Sequence, residues 1–228
     1  MKICASITEV EPKEFDKSVA RAFHMGASLL EIRFDYISSR SFPEALAAAR
    51  PYKGKCIYTL RRTSQGGRFV GSEKQRVSYL KELASQLPMM VDVEYETIVD
   101  CPEIGAFIKS LNIPLLLSWH DFGSTPSEKQ LSDLLNLMSS YSNNNKLVTT
   151  ARSLEDNLRV LSLYDTVDKS ANLVAFCMGE LGLVSRVVCA FQRNCPFTYA
   201  SFGRPIAPGQ VTIEQMKKLQ RMIPSMHD

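Results

Sequence analysis

Short apolar runs alternate with stretches of three-to-four-residue apolar spacing along the whole chain. Eight of the runs have the length and side-chain content of strands, covering residues 2–8, 29–35, 55–60, 89–94, 114–119, 146–151, 173–178 and 197–200. Between them the spacing predicts helices, as at Phe15, Val19, Ala22 and Phe23, or at Leu131, Leu134, Leu135 and Met138. Ser127 before Glu128, Ser153 with Asp156, and Thr212 before an amphipathic stretch mark helix starts. Residues 142–145 read as a polar loop. Strands alternating with helices predict a parallel sheet with crossover helices, and eight units match a (β/α)8 barrel. A doubly wound open sheet would alternate in the same way, but no glycine-rich phosphate turn follows the first strand.

Composition narrows the picture without changing it. At 228 residues and 45% hydrophobic side chains, with no break in composition, the chain fits one domain over 1–228. Its net charge of +3 and the lack of a basic block argue against nucleic acid as a partner. The six cysteines are scattered, with no paired spacing and no nearby histidine to complete a zinc set. Free thiols, no signal-like start and no membrane-length apolar run lead to the expectation of a cytoplasmic protein with neither metal nor membrane association.

In a barrel of this kind chemistry gathers at the carboxyl ends of the strands. Strand two carries Glu31, Arg33 and Asp35 at alternate positions, so all three are expected on one face. Buried there, they need partners, and Arg61, Asp92, Glu94 or a polar substrate are the candidates; a purely structural ion-pair layer is the alternative. Strand three ends in Arg61 and Arg62, followed by the pair Gly66 and Gly67 that permits a mobile loop. His120 closes the fifth run, after the chain's one tryptophan, where a proton shuttle near neutrality would be useful. Lys146 heads the sixth run. Burial would make it a Schiff-base nucleophile, but a lysine after Asn144 and Asn145 reads more readily as a solvated strand start, since lysines are rarely buried. Arg186 and Gln210 follow strands seven and eight, and together offer a charged fork and a neutral donor for a small anion.

As an ordered set these residues resemble type I 3-dehydroquinate dehydratase. The likeness is carried by Glu31-Ile-Arg-Phe-Asp35, Tyr58-Thr-Leu-Arg61 with Gly66 and Gly67, Asp92-Val-Glu94, Ser118-Trp-His-Asp-Phe122, Lys146 ahead of Ser153-Leu-Glu-Asp156, Met178-Gly-Glu-Leu-Gly-Leu-Val-Ser-Arg186 and Ala207-Pro-Gly-Gln210. The resemblance implies dehydration of 3-dehydroquinate to 3-dehydroshikimate in the shikimate pathway by a hydro-lyase with the (β/α)8 fold. Lys146 is then the imine-forming lysine and His120 the general acid and base. Ser6, Glu31, Arg33 and Arg61 are implied as substrate binders, Arg186 and Gln210 as the carboxylate clamp, and Phe122 and Met178 as pocket lining. It further implies no metal or organic cofactor, a homodimer, and a possible fusion or association with shikimate dehydrogenase.

Three positions depart from the family pattern. Gln65 stands where a glutamate is common before the glycine pair, Ile206 where a serine is common, and the first strand begins almost at Met1, so the hairpin that closes the barrel floor in many members is expected to be absent. Two other readings compete. A sugar-phosphate aldolase would use a lysine on the same strand but needs a phosphate cradle, for which 201–204 is thin. A catalytically inert binder would have no use for both His120 and Lys146.

Overall fold

The chain is described by a computed structural model over residues 1–8, 12–203 and 209–223. All eight expected strands form: β1 Ile3–Ile7, β2 Leu29–Arg33, β3 Cys56–Thr59, β4 Met90–Glu94, β5 Leu115–His120, β6 Asn144–Thr150, β7 Asn172–Met178 and β8 Thr198–Ala200. The helices are α1 Pro12–Met25, α2 Phe42–Ala49, α3 Glu73–Ser85, α4 Tyr95–Asp100, α5 Pro102–Ser110, α6 Glu128–Ser139, α7 Glu155–Leu161, α8 Leu163–Thr166, α9 Leu183–Cys189 and α10 Ile213–Met222. One sheet runs in the order β7-β6-β5-β4-β3-β2-β1-β8, the cyclic strand order of the expected (β/α)8 barrel. The pairs β2–β3, β3–β4 and β6–β7 are parallel.

Contacts divide the chain into two compact units, 1–4 with 117–228 and 5–116. In the unit formed by 5–116, α1 buries Phe15, Val19 and Ala22, and α3 buries Val77, Leu80 and Leu83. Ser72 starts α3 with a capping box, its side chain accepting from the Gln75 N–H. In the other unit, α6 buries Leu131, Leu135 and Met138 and is capped by Ser127, while Thr212 caps α10. Each such cap contributes about 1 kcal/mol.

Three local expectations change. Asn144 and Asn145 belong to β6 rather than to a loop, so the strand starts two residues before Lys146. β2 ends at Arg33, and residues 34–36 turn in a short 3-10 helix, which removes Asp35 from the strand alternation. Helix α7 is capped at Leu154 without a side-chain acceptor. The acceptor instead works in reverse, Asp156 taking the N–H groups of Arg152 and Ser153 at 2.7 and 2.9 Å. No helix among the described residues is long and apolar enough to cross a membrane.

Candidate active site

In the unit containing 117–228, register decides which side chains share a face. β6 pairs with β7 so that Lys146 lies beside Val174, Val148 beside Phe176 and Thr150 beside Met178. These six occupy one face of the sheet, since side chains at alternate strand positions point the same way. On the opposite face the Thr149 hydroxyl donates to Cys177 Sγ at 3.2 Å. The Asp121 N–H reaches the Val148 carbonyl at 2.9 Å. In a parallel ladder that bond sets His120 beside Val148, one row along from Lys146.

Lys146 is 6% exposed, which decides against a solvated strand-start lysine. Its Nζ lies 4.2 Å from the centroid of the Tyr199 ring, a cation–π distance. Tyr199, 4% exposed on β8, is braced by Phe197 in an edge contact at 5.5 Å. His120 is half-buried at the end of β5, stacked on Phe122 with ring centroids 5.9 Å apart. The turn beneath is built by Asp121, whose Oδ1 accepts the N–H groups of Gly123 and Ser124 at 2.7 and 2.9 Å.

Arg186 sits on α9 with its guanidinium carbon 4.1 Å over the ring of Phe176. It is 2% exposed, and its Nε and Nη2 are buried without a hydrogen-bond partner. Burial pushes its pKa down to about 10. Helix α9 is fixed by Ser185, whose hydroxyl accepts the Cys177 N–H at 2.9 Å and donates to the Gly182 carbonyl at 3.0 Å. Gly182 has no room for a side chain, because a Cβ would lie 2.4 Å from the Cys177 carbonyl oxygen. Gln210 lines a groove of about 640 Å³ beside α9 and α10, with Glu180, Leu183 and Val187. Met178 is buried on the face shared with Lys146. Ile206 and His227 lie outside the described residues.

The unit of 5–116 holds the remaining candidates in a charged, hydrogen-bonded layer. The Ser6 hydroxyl donates to Glu31 Oε2 at 2.6 Å and that of Thr59 to Oε1 at 3.2 Å. Arg33 makes a bidentate pair with Asp35 at 2.8 and 2.7 Å, the outcome of the 3-10 turn that folds Asp35 back. Burial alone would lower the Arg33 pKa, but Asp35 and Glu31 outweigh it and hold the guanidinium above its ordinary value. Arg61 pairs with Asp92 at 2.6 Å and Glu94 at 3.1 Å. Its pKa also rises, the three acids Asp92, Glu94 and Glu31 overcoming burial. The ion-pair layer left open by the sequence is therefore present.

Two residues, one in each unit, escaped sequence reasoning. Arg76, fully buried in α3, donates to Glu94 at 2.6 Å and to the Leu60 carbonyl at 2.9 Å, and also bonds Thr97. Its one visible signal was Glu73 three residues earlier, its partner at 2.6 Å. Tyr199 left only the alternation of Phe197 and Tyr199 in the last apolar run. The glycine pair serves the backbone more than a hinge: a Cβ at Gly67 would meet the Arg61 carbonyl oxygen at 2.0 Å. Gln65 reaches Glu96 at 3.4 Å, a carboxylate shared with Arg62. No cluster of three His, Cys, Asp or Glu side chains suited to a metal occurs among the described residues.

Comparison with known proteins gives the family. The family model for type I 3-dehydroquinase matches residues 3–226. A 3-dehydroquinate dehydratase from Dehalococcoides mccartyi is 35% identical over 228 residues, covering 97% of this chain and 95% of the relative. The crystal structure of 3-dehydroquinate dehydratase from Geobacillus kaustophilus superposes with a TM-score of 0.89 at 20% identity, covering 100% of this chain and 92% of that one. The S. pombe protein joining dehydroquinate dehydratase and shikimate dehydrogenase aligns with a TM-score of 0.76 at 23% identity, over 94% of this chain and 43% of its own. The chain belongs to the type I 3-dehydroquinase family.

Proposed function

We propose that this chain dehydrates 3-dehydroquinate to 3-dehydroshikimate through a Schiff base on Lys146, with His120 as the general acid and base. The observation that carries the reading is Arg186. A guanidinium buried with two unmatched nitrogens costs free energy, and a carboxylate would supply both the missing acceptors and the opposite charge. The substrate class that answers is a small carboxylic acid with a carbonyl for the buried amine on the same unit.

The chemistry follows from the groups in place. The neutral amine of Lys146 adds to the ketone and water leaves, giving an iminium that draws electrons from the adjacent carbon. His120 removes a proton there, and the electron pair moves onto nitrogen as an enamine. The enamine then expels the hydroxyl, which His120 protonates to water, and hydrolysis frees the product. Arg186 holds the carboxylate, with Gln210 as a neutral second donor. Ser6, Glu31, Arg33 and Arg61 are assigned to substrate hydroxyls. What supports this is that they are buried and already held in place, so ordering them adds little cost on binding.

Residues 1–228 are taken as one catalytic domain, a reading supported by the length of the family match. A cytoplasmic location and a homodimer belong to the same proposal. For the dimer the support is an apolar face on α7 and α9, where Leu154, Leu158, Val184 and Val188 are exposed beside Leu181. Asn157 ties the two helices together, its Oδ1 accepting the Ser185 N–H at 3.1 Å. Exposed apolar clusters of this sort mark association surfaces. Association with a shikimate dehydrogenase is also proposed, from the S. pombe protein in which the two are joined.

The direct test is the rise in ultraviolet absorbance of a conjugated enone when the purified chain meets 3-dehydroquinate. A steady rise that is lost in His120→Asn is expected. No rise with the folded protein would contradict the assignment.

A further inference from the structure

Tyr199 was not singled out by sequence, yet the face of its ring lies against the buried amine. Lys146 Nζ stands 4.2 Å from its centroid, and both residues are almost fully buried. Strands hold both backbones: Lys146 is the third residue of β6, and Tyr199 lies within β8 with Phe197 packed edge-on at 5.5 Å and 78°. Whatever charge forms on this nitrogen therefore forms over the negative face of a ring, in surroundings dry enough for the attraction to count.

We propose that the face of Tyr199 is a catalytic group that stabilises positive charge on Lys146 Nζ while substrate is attached, an inference that rests on the imine reading above. Charge appears on that nitrogen twice. In the first dehydration the carbinolamine C–O bond breaks as the nitrogen lone pair forms C=N, and hydroxide takes a proton and leaves as water. The nitrogen is then cationic. Removal of the neighbouring proton returns an electron pair to it and gives a neutral enamine. In the second dehydration the enamine lone pair re-forms C=N, the carbon–carbon double bond shifts, and the departing hydroxyl is protonated to water. Positive charge thus grows on Nζ in both water-losing steps, where a fixed ring face lowers the energy of the transition state more than that of the neutral species before it.

The test alters π-electron density without altering shape. Position 199 is replaced by Phe and then by mono-, di- and trifluorinated Phe, and kcat is measured together with the fraction of Lys146 trapped as a reduced adduct by borohydride in saturating 3-dehydroquinate. Tyr199→Phe should stay within about twofold of the starting protein, because the ring face survives. Both readouts should then fall stepwise, to roughly tenfold lower at the trifluorinated ring. Because every ring in the series fills the same space, loss of folding does not mimic the trend. A flat series with a clear adduct on Lys146 would overturn the role of Tyr199 alone. Failure to find any adduct on Lys146 in the unsubstituted protein would overturn the imine reading and this inference together.

Discussion

Arg186 lies over the Phe176 ring at 4.1 Å and is buried with two of its nitrogens, Nε and Nη2, unmatched. The ring contact holds the guanidinium in place without supplying an acceptor for those nitrogens, which links two opposite effects of the side chain, one on stability and one on binding. Arg186→Met is expected to raise KM by roughly 100-fold or more, since truncating one side of a buried charge pair costs about 2–5 kcal/mol. The same change should raise the Tm of the ligand-free protein, because an unpaired buried charge is removed in favour of an apolar chain of similar length. A shift of about 2–4 °C accompanies each kcal/mol in a chain of this size. Steady-state kinetics and thermal melts on one preparation decide it; a lower Tm with unchanged KM would place the clamp elsewhere.

The depressed pKa of Arg186, about 10, gives a pH dependence. Below it the side chain is charged in folded and unfolded states alike, so the burial cost is fully present and carboxylate binding is strong. As pH rises through about 10 the folded state gives up the proton first: the burial cost shrinks and the charge that holds the carboxylate disappears. The dissociation constant of 3-dehydroshikimate, measured by calorimetry in a Lys146→Ala background to remove the amine, should rise above pH 10 by up to about tenfold per unit. Affinity that stays level to pH 11 would remove the charge of Arg186 from the binding account.

Arg76 is expected to matter to folding more than any exposed residue of its helix. Its substitution by Met removes one of the two arginine partners of Glu94 and leaves the Leu60 carbonyl without this donor. Breaking a buried pair on one side costs about 3–5 kcal/mol. Urea unfolding of Arg76→Met should show a loss of that order, with an unchanged slope; a loss below about 1 kcal/mol would mean that Arg61 alone satisfies Glu94.

The sequence made the eight strands legible because each is a short apolar run bounded by polar helices, and six of the eight assigned side chains lie on or beside those strands. What it hid were interactions set by turns and register. The hydrophobic alternation of Leu29–Arg33 runs on through Asp35, and nothing in the pattern shows the 3-10 turn that sends Asp35 back to Arg33. Polar Asn144 and Asn145 disguise the first residues of β6, and with them the burial of Lys146. Tyr199 and Arg76 were invisible for a common reason: each acts through a partner more than fifteen residues away, and single-sequence periodicity reports which face a residue occupies but not whom it meets there.

The apolar face on α7 and α9 gives an assembly prediction. Sedimentation should show a dimer at micromolar concentration that Leu158→Lys with Val184→Lys converts to a monomer, because two exposed apolar side chains are replaced by charges that repel across a two-fold interface. A dimer that survives both substitutions would use another surface.

The most direct measurement of the central claim is borohydride reduction of the protein in the presence of 3-dehydroquinate, followed by peptide mass mapping. A single reduced adduct on the peptide bearing Lys146 is predicted, together with loss of both adduct and turnover in Lys146→Ala. An adduct on a different lysine, or near-normal turnover in Lys146→Ala, would contradict it.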